Sequence, residues 1–276
     1  MKNVETVAVD AIRCGENAPK PKKERIIGLD ILRGLLMFVV FYDHFLFDAG
    51  FIFNGAFTTA FGKWLSKIAI LYVGTTFRTV FNTIVHILFF SLSGIVTSFS
   101  KSKIKRPLKY LAVCLTIFLA TLLITKITGV NCLITFGVMY CYTICAFIAV
   151  LLDKLKVNKW AVLGIGLAFT LIGALYQLEV ITFLAKPLYF IFPYYSPVFL
   201  TADYFPIFPY AGYFLIGMFL GKILYKERKP LIKFPNAIKK ATGWIAYIGR
   251  TSLWWYLLSQ VFFYAFYYIV TILGVM

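Results

Sequence analysis

Long apolar runs separated by short polar segments fill the chain from residue 25 to its end. A helix of about 20 apolar residues, rising 1.5 Å per residue, crosses the hydrocarbon core of a bilayer. We therefore predict an all-α fold, a polytopic transmembrane helical bundle of about seven spans. The predicted spans are residues 27–53, 78–99, 107–125, 133–152, 160–178, 205–225 and 247–273.

Two apolar stretches do not fit the pattern of a span. Residues 56–77 carry Lys63, Trp64 and Lys67, which is typical of an amphipathic helix lying at the membrane interface. Residues 181–209 contain five prolines, too many for a continuous helix, so a folded or re-entrant loop is predicted. We expect both segments on the outer side of the membrane.

The distribution of Lys and Arg predicts the orientation. With the N-terminus inside, residues 1–28, 100–109, 153–159 and 222–250 form the inner segments and hold 22 of the 28 basic residues. Because basic loops stay cytoplasmic, we expect a cytoplasmic N-terminus and an extracytoplasmic C-terminus in a multi-pass protein of the cell (inner) membrane. Residues 1–24 are predicted to be a flexible cytoplasmic tail, and residues 25–276 a transmembrane domain.

Composition supports the membrane prediction and limits the partners. Hydrophobic residues make up 61% of the chain and charged residues 14%, against about 25% charged in soluble proteins. The net charge of +17 lies between apolar runs rather than on one soluble face, so we expect lipids and not nucleic acid as partners. The cysteines lack metal-ligand spacing with histidine, so no metal site is predicted. The oligomeric state stays open, with a homodimer as one option.

The first predicted span is unusually rich in ionisable residues. From Arg33 to His44 the helical rotation has a net angle of about 20°, and the rise is about 16 Å. Asp30 and Asp48 each lie about 60° from Arg33 on the same side, whereas Asp43 points elsewhere. Ionisable groups within a membrane normally face a cavity or pair with each other, and they often mark function. The pattern predicts a polar stripe of Asp30, Arg33, His44 and Asp48.

These residue types suit acid–base chemistry next to an anion site. A neutral imidazole such as His44 is suited to a general base near pH 7, and Asp48 can orient its ring. Arg33 can bind a phosphate or pair with Asp30. The alternative is a buried ion-pair network that only stabilises the bundle. His86, in the second span, faces the same cavity or bonds within the bundle.

Four motifs, in order along the chain, resemble one family of membrane enzymes. Residues 29–34 (Leu-Asp-Ile-Leu-Arg-Gly), with His44 eleven positions after the arginine, are similar to the first helix of membrane-embedded acyltransferases, including bacterial polysaccharide and O-antigen acetylases. Three later stretches are similar to motifs of the heparan-alpha-glucosaminide N-acetyltransferase-like catalytic family, in its small bacterial form. They are residues 89–95, residues 202–206 with Pro209, Gly212 and Gly217, and residues 248–253 with Tyr256. The resemblance extends from about residue 25 to the end of the chain.

The resemblance implies an acyltransferase that modifies a glycan or amino sugar. Such an enzyme takes an acyl group from cytosolic acetyl-CoA, or another acyl-CoA, and transfers it to a sugar hydroxyl or amine on the far side of the membrane. It implies that His44 is catalytic, with Arg33 as its signature partner. Asp203 and Arg250 are motif residues with no assigned role.

The expected arrangement places CoA at the basic face of the bundle. Its phosphates would meet Arg33, close to Asp30, and the loop lysines Lys101 and Lys103. Arg78, at the outer start of the second span, is expected to meet the acceptor or Asp48, or to anchor the interface. Direct transfer and an acyl-histidine intermediate are both open.

One departure from the family pattern leaves other functions open. The last helix of the family often reads Ser-Leu-x-x-Tyr-x-x-His-Gln, and here Ser259 stands at the histidine position before Gln260. A catalytically altered acyltransferase-like protein is therefore one alternative. A small membrane transporter is another, although the chain lacks the two similar halves of an inverted repeat.

Overall fold

The computed structural model describes residues 25–100, 104–128, 133–183, 186–194, 203–226 and 229–275. These residues form α-helices and one π-helical turn, and their only strand-like pairing is an isolated bridge between Phe136 and Tyr204. The all-α prediction is confirmed. The helices are α1 (Ile27–Phe47), followed by the π-helical turn Asp48–Ile52, α2 (Ala60–Val73), α3 (Thr76–Ser98), α4 (Lys105–Thr128), α5 (Val138–Lys154), α6 (Lys159–Gln177), α7 (Ile207–Leu224), α8 (Asn236–Ala241), α9 (Gly243–Arg250) and α10 (Ser252–Ile272).

Six helices of the described residues are long and apolar enough to cross a membrane. They are α1 with the π-helical turn, α3, α4, α6, α7 and α10. The protein is therefore a multi-pass membrane protein. The remaining predicted span, residues 133–152, overlaps α5, which has 17 residues. The count of seven spans thus stays a prediction.

Helix α7 lies at the centre of the bundle and packs along both α3 and α6. In its span 50% of the residues are buried, against 6% in the span of α4, which is peripheral. Small residues allow the close approach: a Cβ on Gly94 would meet the Phe214 carbonyl, and one on Gly217 would meet the Ser91 carbonyl. Small residues at such contacts are typical of membrane helix pairs.

Helix α1 is held against α9 in the same way. A Cβ on Gly34 would collide with the Ile245 carbonyl, and one on Gly249 would collide with the Asp30 carbonyl. These backbone contacts place the start of α1, with Asp30 and Arg33, beside α9. Further along, α1 packs on α10.

The two predicted outer segments have distinct structures. Helix α2 begins after Thr59, whose hydroxyl accepts the Gly62 N–H at 3.2 Å. It leaves Phe61 and Trp64 more than half exposed, at 59% and 57%, which suits an interfacial helix, although that location stays a prediction. The proline-rich segment has no helix in its described part before α7, which agrees with the predicted folded loop. The tail of residues 1–24 lies outside the described residues, so the division into tail and domain also stays a prediction.

Candidate functional site

His44 lies on α1 and meets α10. Its Nδ1 is 3.1 Å from the Ser259 Oγ, and its ring centroid is 5.9 Å from that of Tyr256. The Ser259 hydroxyl also donates to the Tyr256 carbonyl, at 2.8 Å. Because a hydroxyl has one proton, the bond from Ser259 to the Tyr256 carbonyl favours Ser259 Oγ as the acceptor from His44, in the tautomer with the imidazole proton on Nδ1. The lone pair of Nε2 is then free to accept a proton.

Asp48 has a different partner from the predicted one. Its side chain is fully buried, and Oδ1 accepts a hydrogen bond from Gln260 Nε2 at 2.7 Å. Its Oδ2 has no hydrogen-bond partner within the described part of the chain. The predicted orienting contact between Asp48 and His44 is wrong, because Ser259 occupies the Nδ1 side of the ring. A catalytic role for Asp48 stays a prediction.

Asp43 is the residue that sequence reasoning undervalued. Arg78 binds it through two hydrogen bonds, Nε to Oδ1 at 2.7 Å and Nη2 to Oδ2 at 2.8 Å. Asn82 Nδ2 and the Tyr72 hydroxyl donate to the same carboxylate, at 3.1 and 3.4 Å. These contacts to Asp43 join α1, α2 and α3 next to His44. The predicted meeting of Arg78 with Asp48 is therefore wrong.

Tyr72 stays protonated in this cluster. Burial, together with the charge of Asp43, raises the pKa of Tyr72 to about 12. Its hydroxyl therefore donates to the carboxylate throughout the neutral range. The sequence contains one signal for this contact. Arg78 and Asn82 are four residues apart, so they lie on the same face of α3 and can both contact one carboxylate.

His86 has aromatic neighbours on α7 and in the segment just before it. The rings of Phe205 and Tyr210 surround it edge-on, at centroid distances of 4.8 and 6.0 Å. It makes no hydrogen bond to another described residue. That His86 faces the same cavity as His44 stays a prediction.

Of the two motif residues without an assigned role, Asp203 lies close to the contacts of His44, and Arg250 is exposed at the end of α9. Asp203 Oδ2 accepts hydrogen bonds from the Val138 N–H at 2.9 Å and the Tyr256 hydroxyl at 3.4 Å. Tyr256 thus lies between His44 and Asp203, which brings the third and fourth motifs to the first. Arg250 ends α9 as an exposed residue, with its guanidinium 5.9 Å from the centre of the Tyr247 ring.

Arg33 lies towards the opposite end of α1. Its Nη2 donates to the Leu92 carbonyl at 3.2 Å and to Ser93 Oγ at 3.4 Å. No salt bridge to Asp30 forms between these described residues. The helix separates Arg33 from His44 by about 16 Å along its axis. Lys101 and Lys103 lie outside the described residues.

The arrangement provides the Arg33 guanidinium towards one end of α1 and the His44 imidazole towards the other, within one helical bundle. No group of three or more His, Cys, Asp or Glu residues able to hold a metal occurs among the described residues. The residues suit proton transfer and anion binding.

Comparison with known proteins gives one match. The family model described as "Heparan-alpha-glucosaminide N-acetyltransferase, catalytic" matches residues 25–261. No match was found among curated proteins or among solved structures. The matched region contains every site residue described above.

Proposed function

Since the chain belongs to the heparan-alpha-glucosaminide N-acetyltransferase catalytic family, we propose that it is a membrane-embedded acyltransferase that uses acyl-CoA. The donor is acetyl-CoA or a related cytosolic acyl-CoA. The acceptor is a sugar hydroxyl or amine on the far side of the membrane. The family match supports a membrane acetyltransferase; the donor, acceptor and sidedness are parts of the proposal.

The hydrogen bonds of Ser259 carry the proposal. They favour the imidazole of His44 with its proton on Nδ1, where Ser259 Oγ accepts it. Nε2 is then available as a general base, which needs a lone pair within reach of the acceptor. In this family-like site Ser259 takes over the orienting task that Asp48 was expected to perform.

The reaction proceeds by direct transfer in this proposal. Nε2 of His44 takes the proton from the acceptor hydroxyl or amine while the acceptor atom attacks the thioester carbonyl. The new C–O or C–N bond forms, the C–S bond breaks, and the imidazolium returns the proton to the leaving thiolate. The competing route forms an acyl-histidine first and then passes the acyl group on.

The sidedness follows from the basic segments. Their 22 Lys and Arg residues support a cytoplasmic N-terminus and an extracytoplasmic C-terminus. CoA then enters where α1 begins, and the acceptor arrives where α1 ends. A bacterial inner membrane, with surrounding lipids as partners, is the location we propose.

The two histidines offer a matched test. We expect His44→Ala to lower acetyl transfer from acetyl-CoA at least about a hundredfold, the usual contribution of a general base. His86→Ala, the same change at the other histidine, retains most of the activity. Purified protein in nanodiscs is assayed for CoA release and acetyl-CoA binding.

The result separates the alternatives. Equal activity of His44→Ala and wild type would refute the catalytic assignment. Wild type that binds acetyl-CoA without turnover, with every acceptor class tried, would indicate a catalytically altered acyltransferase-like protein, the alternative raised by Ser259 at the histidine position of the family motif. Failure of the wild-type protein to bind any acyl-CoA would refute the proposed acyltransferase function. A burst of CoA release before steady state would favour the acyl-histidine route.

A further inference from the structure

Two arginines from different helices contact consecutive turns of α3. Arg33 of α1 donates to the Leu92 carbonyl and to Ser93 Oγ, at 3.2 and 3.4 Å. Arg106, the second residue of α4, donates to Thr97 Oγ1 at 2.8 Å. Because Ser93 and Thr97 are four residues apart, the two anchor points lie about 6 Å apart along the α3 axis.

Neither arginine has a counter-ion at contact distance. Among the described residues no Asp or Glu oxygen lies within 4.0 Å of either guanidinium, and Asp30 acts on Arg33 only from farther away. Their hydrogen bonds to other described residues all go to neutral oxygens. Both side chains are half-buried, and Arg106 is near enough for its charge to act on Arg33. Charges inside a membrane bundle are costly unless they are paired, so an anion bound between the two guanidinium groups would lower that cost.

We propose that Arg33 and Arg106 form a subsite for a diphosphate, and that the diphosphate of the acyl-CoA donor occupies it. Planar guanidinium groups bind phosphate oxygens through paired hydrogen bonds. Tyr110 and Tyr142 are near enough to Arg33 to interact with its charge. The identity of the donor rests on the proposed function; the anion site itself does not.

The distance from this subsite to His44 matches the donor. Thirteen bonds separate the nearer phosphorus of CoA from its sulfur, and at three bonds per residue of extended chain they span about 15 Å. Arg33 and His44 are about 16 Å apart along α1. A diphosphate bound at Arg33 and Arg106 therefore places the thioester next to the imidazole, with the pantetheine arm extended along α1.

The first experiment compares donors with and without phosphate. Acetyl-CoA and S-acetyl-pantetheine are tested on wild type, Arg106→Gln, Arg106→Lys and the control Lys105→Gln, in nanodiscs of zwitterionic lipid. Lys105 is exposed and adjacent, so its loss lowers the net charge by the same amount. We expect Arg106→Gln to raise the Kd for acetyl-CoA about tenfold or more, with partial recovery in Arg106→Lys and no change in Lys105→Gln. Turnover of S-acetyl-pantetheine stays the same in all four proteins.

The outcomes distinguish the subsite from the enzyme. If Arg106→Gln weakens the binding of both donors equally, or of neither, the diphosphate subsite is refuted while the proposed acyltransferase activity is unaffected. An anionic lipid headgroup as the natural occupant gives the second of these results, because the acetyl-CoA Kd is then independent of Arg106.

A second measurement does not depend on acyl transfer. Inorganic pyrophosphate is added during thermal unfolding of the same proteins. We expect it to raise the Tm of wild type and Lys105→Gln but not of Arg106→Gln. If wild type binds no acyl-CoA yet shows this pattern, the anion site survives and the proposed function fails; equal Tm shifts in all variants overturn the site.

Discussion

Removal of the Ser259 hydroxyl tests the mechanism at its most specific point. In Ser259→Ala the Nδ1 proton of His44 loses its acceptor in a buried position, since Ser259 is 6% exposed. Leaving such a donor unsatisfied costs about 1–3 kcal/mol. The tautomer with its proton on Nε2, which cannot act as a base, gains by that amount. Each 1.4 kcal/mol is a factor of ten, so we expect kcat to fall about tenfold to a hundredfold.

The assay separates this effect from a loss of packing. Acetyl transfer by Ser259→Ala is measured against wild type, with Ser252→Ala as control, the same change two turns earlier on α10. We expect kcat to fall while the KM for acetyl-CoA stays constant, because the proposed diphosphate subsite is at the other end of α1. Ser259→Thr keeps the hydroxyl and most of the activity. An unchanged kcat in Ser259→Ala, or a change in KM alone, would refute the assignment of the tautomer.

Two further predictions concern stability. Arg78→Ala leaves the carboxylate of Asp43 without its cation at a site where the two side chains are only 20% and 15% exposed. We expect the free energy of unfolding, measured by chemical denaturation in detergent, to fall by about 2–3 kcal/mol. The loss should be smaller in the double variant with Asp43→Asn, which leaves no unpaired charge. An unchanged free energy of unfolding in Arg78→Ala would contradict this prediction. Gly94→Ala places a Cβ against the Phe214 carbonyl and should cost about 1–3 kcal/mol, whereas Gly164→Ala meets nothing within 4 Å and should be neutral or stabilising. Equal Tm values for the two alanine variants would show that α3 and α7 do not pack as described.

The sequence predicted the elements better than their contacts. Helix α1 occurs where the apolar run predicted it, and Arg33 and His44 both lie on it. Helical periodicity gives the direction of a side chain from its own axis, but not which neighbouring helix it meets. Asp48 lies just after α1, as the first residue of the π-helical turn that continues the predicted span. The prediction paired it with His44, whereas its partner is Gln260 of α10.

The ion pair of Asp43 was missed for the same reason. Its partner Arg78 is 35 positions away, and no spacing rule joins residues on different helices. Ser259 was visible only as a departure from a family motif. Its contact with His44 gives that departure a physical meaning, since a hydroxyl can hold the Nδ1 proton where a histidine was expected.

The location of both functional ends on one helix has a mechanical consequence. A helix fixes the separation of Arg33 and His44 through its own hydrogen bonds, so no loop movement is needed to set the distance between the proposed anion site and the proposed base. The glycine contacts at Gly34 and Gly249 hold the start of α1 against α9, and the pair of Asp43 with Arg78 holds its far end against α3. A rigid α1 anchored at both ends therefore allows a donor of one fixed length to reach the imidazole. Donors with a shorter arm should bind at the arginines but fail to react.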